Sequence, residues 1–96
     1  MDNTLIPFVE MTERELVSCT LNGCERAYDE IIKRYYKRLY QTAEVILIDP
    51  ALADRVTLDT FRHARSILHC YQGESLLVVW LVRMVVERAR EKRVFI

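Results

Sequence analysis

The stretch from residue 25 to residue 48 constrains the fold most, because it contains neither Gly nor Pro. Apolar and small side chains recur along it at spacings of three and four, which puts them on one face of an α-helix. These positions are Ala27, Ile31, Tyr35, Leu39, Thr42, Ala43 and Ile46. The pattern predicts one long helix over about residues 25–47.

Capping signals predict helices on both sides of this long one. Thr12, followed by acids, and the stop signal Asn22-Gly23 indicate a helix over about residues 12–21. Asp49-Pro50 opens a third helix, because Pro is tolerated in a first helical turn. That helix is expected to end before Gly73, with an inner stripe of Ala53, Val56, Thr60, Ala64, Ile67, Leu68 and Tyr71.

A fourth helix is predicted from a cap at Glu74-Ser75 to about Arg93. Its core-facing stripe would be Leu77, Trp80, Leu81 and Met84. Five valines lie largely off that stripe, namely Val78, Val79, Val82, Val85 and Val86. Four helices with short connections in a chain of 96 residues predict an all-α fold, a compact bundle of about four helices forming a single domain over residues 1–96.

The composition of the chain argues against several classes of function and location. Fourteen acids balance fourteen bases, so the chain has no overall positive charge to draw it onto duplex DNA, although residues 31–48 and 75–96 are each locally basic. Three cysteines, an odd number, and the lack of an apolar leader favour a reducing cytoplasm. The uncharged stretch from Ser75 to Val82 is too short to span a membrane.

Catalytic and metal-binding chemistry has little support in the residues. His63 and His69 are six positions apart on one helix, about 120° around its axis, which does not favour a shared ion. Two isolated glycines provide no phosphate-binding loop. We therefore expect no metal, no cofactor and no enzymatic activity.

Two charged surfaces remain open to different interpretations. The run Lys33-Arg34-Tyr35-Tyr36-Lys37-Arg38 interleaves bases with aromatics, which suits phosphate contact or a solvated helix face equally well. The third helix carries a mixed charged face that suits docking on another protein or simple solvation. The residues of this face are Asp54, Arg55, Asp59, Arg62 and Arg65.

The order of several short motifs resembles a known family. "DP-A-AD" opens the third helix, "DTF" lies within it, "GES" follows in a loop, and Trp80-Leu81 with Arg83 comes next. Together they look like the second conserved region of an extracytoplasmic-function sigma factor, across about residues 14–93. The resemblance implies a domain that binds core RNA polymerase and engages single-stranded promoter DNA at the minus-ten element.

The resemblance also assigns residues to these roles. By likeness to the family, the third helix docks on polymerase through Asp54, Asp59 and Arg62. The loop after it would capture a base flipped out of the promoter, with the following helix supporting the pocket and meeting phosphates. The residues so implied for DNA binding are Tyr71, Gln72, Gly73, Glu74, Ser75, Trp80, Arg83, Arg88 and Arg90; Lys92 and Arg93 could also meet phosphates.

Departures from the family pattern support a second hypothesis. Arg55, Leu58 and Glu87 stand where the family usually has other residue types, and Glu87 would repel a phosphate. An apolar second face on a helix usually marks a protein contact. The alternative is therefore a degenerate sigma-like domain that forms a homodimer or binds an anti-sigma regulator through Val78, Val79, Val82 and Val86. The valines would be covered instead if the first helix, the C-terminal Val94-Phe95-Ile96 or a further domain packs over them.

Overall fold

The computed structural model describes residues 7–93, so the C-terminal residues Val94, Phe95 and Ile96, considered above as a cover for the valines, lie outside the described range. Four α-helices form within this range, and no strand is present in it, so the predicted all-α class is confirmed. The helices are α1 (Glu13–Leu21), α2 (Glu25–Leu47), α3 (Pro50–Ser66) and α4 (Leu77–Arg93), with short 3-10 helices at Phe8–Glu10 and Leu68–Cys70. The chain divides within α2 into two units, one up to Arg34 and one from Tyr35 onward.

Side-chain caps fix where α1 and α3 begin. Thr12 Oγ1 accepts from the Glu15 N–H at 3.1 Å, and the Glu15 carboxylate accepts from the Thr12 N–H at 2.9 Å, which completes a capping box. Asp49 Oδ1 accepts from the backbone N–H groups of Ala51 and Leu52. Both predicted N-termini are confirmed. They could be predicted from the sequence because capping depends on residues only two or three positions apart.

The buried positions of α2 follow the predicted periodicity in its main points. Ala27, Ile31, Leu39 and Ala43 are buried as expected. Tyr35, Thr42 and Ile46, which were expected on the same face, are only half-buried. Two residues outside the expected face, Tyr28 and Glu30, are buried as well, so the covered face of α2 is wider than predicted in its N-terminal part.

In the second unit, α3 packs against α4. The buried residues of α3 include Ala53, Val56, Thr60 and Ala64 as predicted, together with Thr57 and Phe61, which the predicted stripe lacked. At the end of the stripe, Leu68 is buried as predicted, whereas the prediction was wrong for Ile67 and Tyr71, which are half-buried. The α-helix ends at Ser66, and the following 3-10 helix changes the register of the side chains that come after it.

The core stripe of α4 differs from the predicted one. Leu77, Leu81, Val85 and Ala89 are buried at a spacing of four, whereas Trp80 and Met84 are half-buried. The exclusion of Val85 from the core was therefore wrong. Leu77 and Leu81 are common to the predicted and the buried stripe, but the buried stripe is rotated away from Trp80 and Met84 toward Val85 and Ala89.

The predicted cap of α4 was also wrong, since the helix begins at Leu77. The first helical bonds run from the N–H groups of Val79 and Trp80 to the Leu76 carbonyl. The Ser75 hydroxyl donates to that same carbonyl instead of accepting from the helix.

Within residues 7–93, no helix is both long enough and apolar enough to cross a membrane.

Candidate functional site

The segment from Tyr71 to Leu76 connects the second 3-10 helix to α4 and contains the residues that were predicted to capture a base. Gly73 adopts a φ of +81°, in the left-handed region that a side chain disfavours. Gln72, Gly73 and Glu74 are exposed. The glycine therefore allows a tight turn that presents the polar side chains on both sides of it to solvent.

Two aromatic rings meet at the base of this turn. The rings of Tyr71 and Trp80 have centroids 5.1 Å apart and planes tilted by 44°, a favourable arrangement for an aromatic pair. The Tyr71 hydroxyl donates a hydrogen bond to the Ser75 carbonyl, which joins the two ends of the turn. Both aromatic side chains are half-buried, so each keeps some surface open to solvent.

The Glu74 carboxylate supplies a hydrogen-bond acceptor in the turn. Its Oε1 atom accepts from the Gln72 N–H at 3.3 Å, across Gly73. An ionised carboxylate has acceptor sites beyond the one used here, and it offers no donor. The turn thus places a hydrogen-bond acceptor near an aromatic pair, a combination that can hold an unpaired base by stacking and by its polar edge.

Of the three arginines of α4 that were predicted to bind phosphate, two share one side of the helix and the third does not. Arg83 and Arg90 are exposed, and the helical repeat places them about 60° and 80° around the axis from Trp80, on the side away from the core. Arg88 is half-buried and lines a groove of about 160 Å³ together with His63, Met84, Glu87 and Glu91. Of these arginines, Arg83 lies one helical turn from Trp80, so its side chain is the best placed to contact the phosphate of a nucleic-acid strand bound at the aromatic pair.

The predicted polymerase-binding residues lie on the outer side of α3. Asp59 Oδ1 and Arg62 Nη1 form an exposed ion pair at 2.8 Å. Asp54 accepts a hydrogen bond from the Tyr36 hydroxyl of α2. Leu58, which departs from the family pattern, is 43% exposed between them. Each of the two acids therefore already has a partner within the chain.

The four valines of the predicted protein interface divide into two groups. Val79 is 39% exposed, and Leu76, three positions before it, is 66% exposed. Val78, Val82 and Val86 are half-buried, on the flank of the buried stripe. The most exposed apolar surface of this helix therefore lies at its start.

Metal-binding groups do not converge in the part of the chain that the structure describes. No three His, Cys, Asp or Glu side chains between residues 7 and 93 are placed to share an ion. His63 and His69 are both exposed.

Two residues with defined contacts were not identified from sequence. Tyr36 bonds to Asp54 and also stacks on Tyr40, with parallel rings and centroids 6.0 Å apart. The i,i+4 spacing of the two tyrosines was a usable signal for the stack. Arg34, expected either in solvent or at a phosphate, instead donates to the main-chain carbonyls of Phe8, Val9 and Met11, and no local pattern indicates such distant partners.

No protein-family model, curated protein or solved structure matches this chain.

Proposed function

We propose that this chain acts as a sigma-factor region-two domain, which binds core RNA polymerase and holds the unpaired minus-ten strand of a promoter. The observation that carries the proposal is the Tyr71–Trp80 pair, packed at 5.1 Å beneath the exposed turn at Gly73. The order of sequence motifs that resembles the family covers the same residues. The role is one of binding without catalysis, and it requires a cytoplasmic location.

In the proposed mode, a base that has left the duplex lies against the open surface of the aromatic pair. Stacking on an aromatic side chain is worth about 1–3 kcal/mol per base and tolerates any base, because each has a π-face. The Glu74 carboxylate and the main chain of the turn meet the polar edge of the base. Arg83 meets a phosphate next to it, and this gives a contact that weakens as salt is added.

The polymerase contact is proposed for the outer side of α3, around Asp54, Asp59 and Arg62. The Asp59–Arg62 ion pair is exposed, so it can exchange partners at little cost. Asp54→Asn would remove the charge and keep an oxygen to accept from Tyr36. We expect co-elution with core RNA polymerase for the wild-type chain and weaker co-elution for Asp54→Asn.

Strand binding is tested by fluorescence anisotropy with a short labelled single strand carrying a minus-ten element and with its duplex. We expect the single strand to bind more tightly than the duplex. Trp80→Ala should raise the Kd for the single strand by about fivefold to a hundredfold, which corresponds to the stacking energy of one base. Trp80→Phe should retain part of the affinity, and Val79→Ala should retain it all. Equal affinities for wild type and Trp80→Ala would exclude the proposal.

A second candidate function is favoured by the exposed Leu76 and Val79 at the start of α4. In this alternative, the fold serves only to pair with a second copy or with an anti-sigma regulator. Val79→Glu would then convert a dimer to a monomer in light scattering, and Val45→Glu, an exposed apolar site on α2, would not. A wild-type chain that is monomeric and co-elutes with polymerase would exclude the homodimer.

A further inference from the structure

The main chain of the segment Pro7–Met11, hereafter the strap, is hydrogen-bonded to α2 through Arg34. Arg34 Nη2 lies 3.1 Å from the Phe8 carbonyl oxygen, 3.2 Å from that of Val9 and 2.8 Å from that of Met11. This nitrogen has two hydrogens, so the three acceptors share them. The convergence of three main-chain carbonyls on one guanidinium group is the arrangement of a site that recognises peptide backbone.

A buried acid holds the guanidinium group in place. Arg34 Nε donates to Glu30 Oε2 at 3.1 Å, and only 8% of Glu30 is exposed. A buried carboxylate is costly unless it is paired, so the two residues depend on each other. The Glu30 carboxylate accepts from Nε, and the Nη2 hydrogens are donated to the strap.

A second cation contacts the only aromatic residue of the strap. The Arg26 guanidinium carbon lies 5.8 Å from the centroid of the Phe8 ring, within the range of a cation–π contact. Arg26, Glu30 and Arg34 are spaced four apart on one side of α2. The three residues thus form a row that binds both the backbone and the aromatic side chain of a short turn.

The strap buries few of its own side chains, so apolar packing holds it in place only weakly. No residue of its 3-10 helix, Phe8–Glu10, is buried, and Val9 is 68% exposed. Its internal order comes from two backbone bonds, Glu10 N–H to the Pro7 carbonyl and Met11 N–H to the Phe8 carbonyl. Segments with few buried apolar contacts open locally, at a free energy below that of global unfolding.

We propose that Arg26, Glu30 and Arg34 form a peptide-binding site, that the strap fills this site in cis, and that a partner segment of the same chemistry displaces the strap. The ligand class is a short peptide turn that presents consecutive carbonyls to Arg34 and an aromatic side chain to Arg26. This site is separate from the proposed strand-binding turn, and it does not depend on the proposed function. The chain's own segment shows which chemistry the site accepts.

Native-state hydrogen exchange on the full chain tests whether the strap opens by itself. We expect the Glu10 and Met11 amides to exchange faster than the α1 amides do. Arg34→Gln should accelerate the exchange of both strap amides by about tenfold or more, because it removes hydrogen bonds to a charged donor. Lys33→Gln is the matched control, since it removes a charge at the exposed neighbouring position and should leave the exchange unchanged. Strap amides that exchange only with global unfolding would overturn the proposal.

Binding of a peptide in trans tests the site itself. The probe is a fluorescent peptide with the sequence of residues 6–11, IPFVEM, capped at both ends. The full chain carrying Phe8→Ala should bind it about two- to fivefold more tightly than the wild type, because the weakened strap competes less. Adding Arg34→Gln to Phe8→Ala should abolish the binding, and a probe with Ala in place of Phe should bind weakly. Equal binding by Phe8→Ala and by the Phe8→Ala, Arg34→Gln double variant would overturn the proposal.

Discussion

The ring of Tyr71 packs against the indole of Trp80 at a centroid distance of 5.1 Å, across the turn that separates the second 3-10 helix from α4. The same tyrosine donates its hydroxyl to the Ser75 carbonyl, so one side chain binds both the helix and the far end of the turn. A preorganised turn of this kind costs less to order when a ligand binds than a flexible one does. Tyr71 therefore has a structural role that can be separated from stacking.

Tyr71→Phe separates the two roles, because it keeps the ring and removes the donor. We expect the free energy of unfolding to fall by about 0.5–1.5 kcal/mol, the usual net contribution of one hydrogen bond. Urea denaturation measures this change. Tyr40→Phe is the matched control, since the Tyr40 hydroxyl donates no hydrogen bond to a residue between 7 and 93. A larger loss for Tyr40→Phe than for Tyr71→Phe would contradict the role given to the Tyr71 hydroxyl.

Arg83→Ala tests the electrostatic part of strand binding. One lost phosphate contact should reduce the slope of log K against log salt by about 0.7 for a single strand. Anisotropy titrations at several salt concentrations give this slope. Arg62→Ala is the control, because Arg62 pairs with Asp59 on α3 and should leave the slope unchanged. Equal slopes for wild type and Arg83→Ala would exclude Arg83 from the phosphate contact.

Leu81→Ala tests the core stripe of α4. Leu81 is 1% exposed, so its truncation removes buried apolar surface and leaves a cavity. We expect a loss of about 2–5 kcal/mol in the free energy of unfolding. Leu76→Ala makes the same chemical change at a position that is 66% exposed, and it should cost less than about 0.5 kcal/mol. Similar losses for the two variants in thermal or urea denaturation would contradict the observed register of α4.

Ile48→Asn tests a strained backbone position. Ile48 adopts a φ of +58°, and this left-handed conformation costs a residue with a side chain roughly 1–2 kcal/mol. Asn tolerates that conformation better, and the isoleucine is 83% exposed, so little packing is lost. We expect Ile48→Asn to raise the free energy of unfolding by about 0.5–1 kcal/mol. Val45→Asn, at a helical position that is 79% exposed, should change it by less than about 0.5 kcal/mol. A decrease for Ile48→Asn would contradict the expectation.

The helix boundaries were predictable from the sequence where the signals are local. Thr12 with Glu15, and Asp49 before Pro50, fix two helix starts through contacts between residues two or three positions apart. At the start of α4 the same reasoning failed, because Ser75 bonds to Leu76 and Glu74 bonds to Gln72 instead. A residue with a good intrinsic cap preference does not cap when the turn before the helix uses its side chain.

The sequence by itself determined the all-α class, the lengths of α1 and α2 and the order of the motifs at the candidate site, because helical periodicity and capping are properties of neighbouring residues. Tertiary structure decided which side chains meet. Val85 enters the core although Val78 and Val82 of the same run do not, since burial depends on what the facing helix covers. The Arg34 side chain donates hydrogen bonds to main-chain carbonyls at least 23 positions away in the sequence, and only folding brings these groups within hydrogen-bond distance.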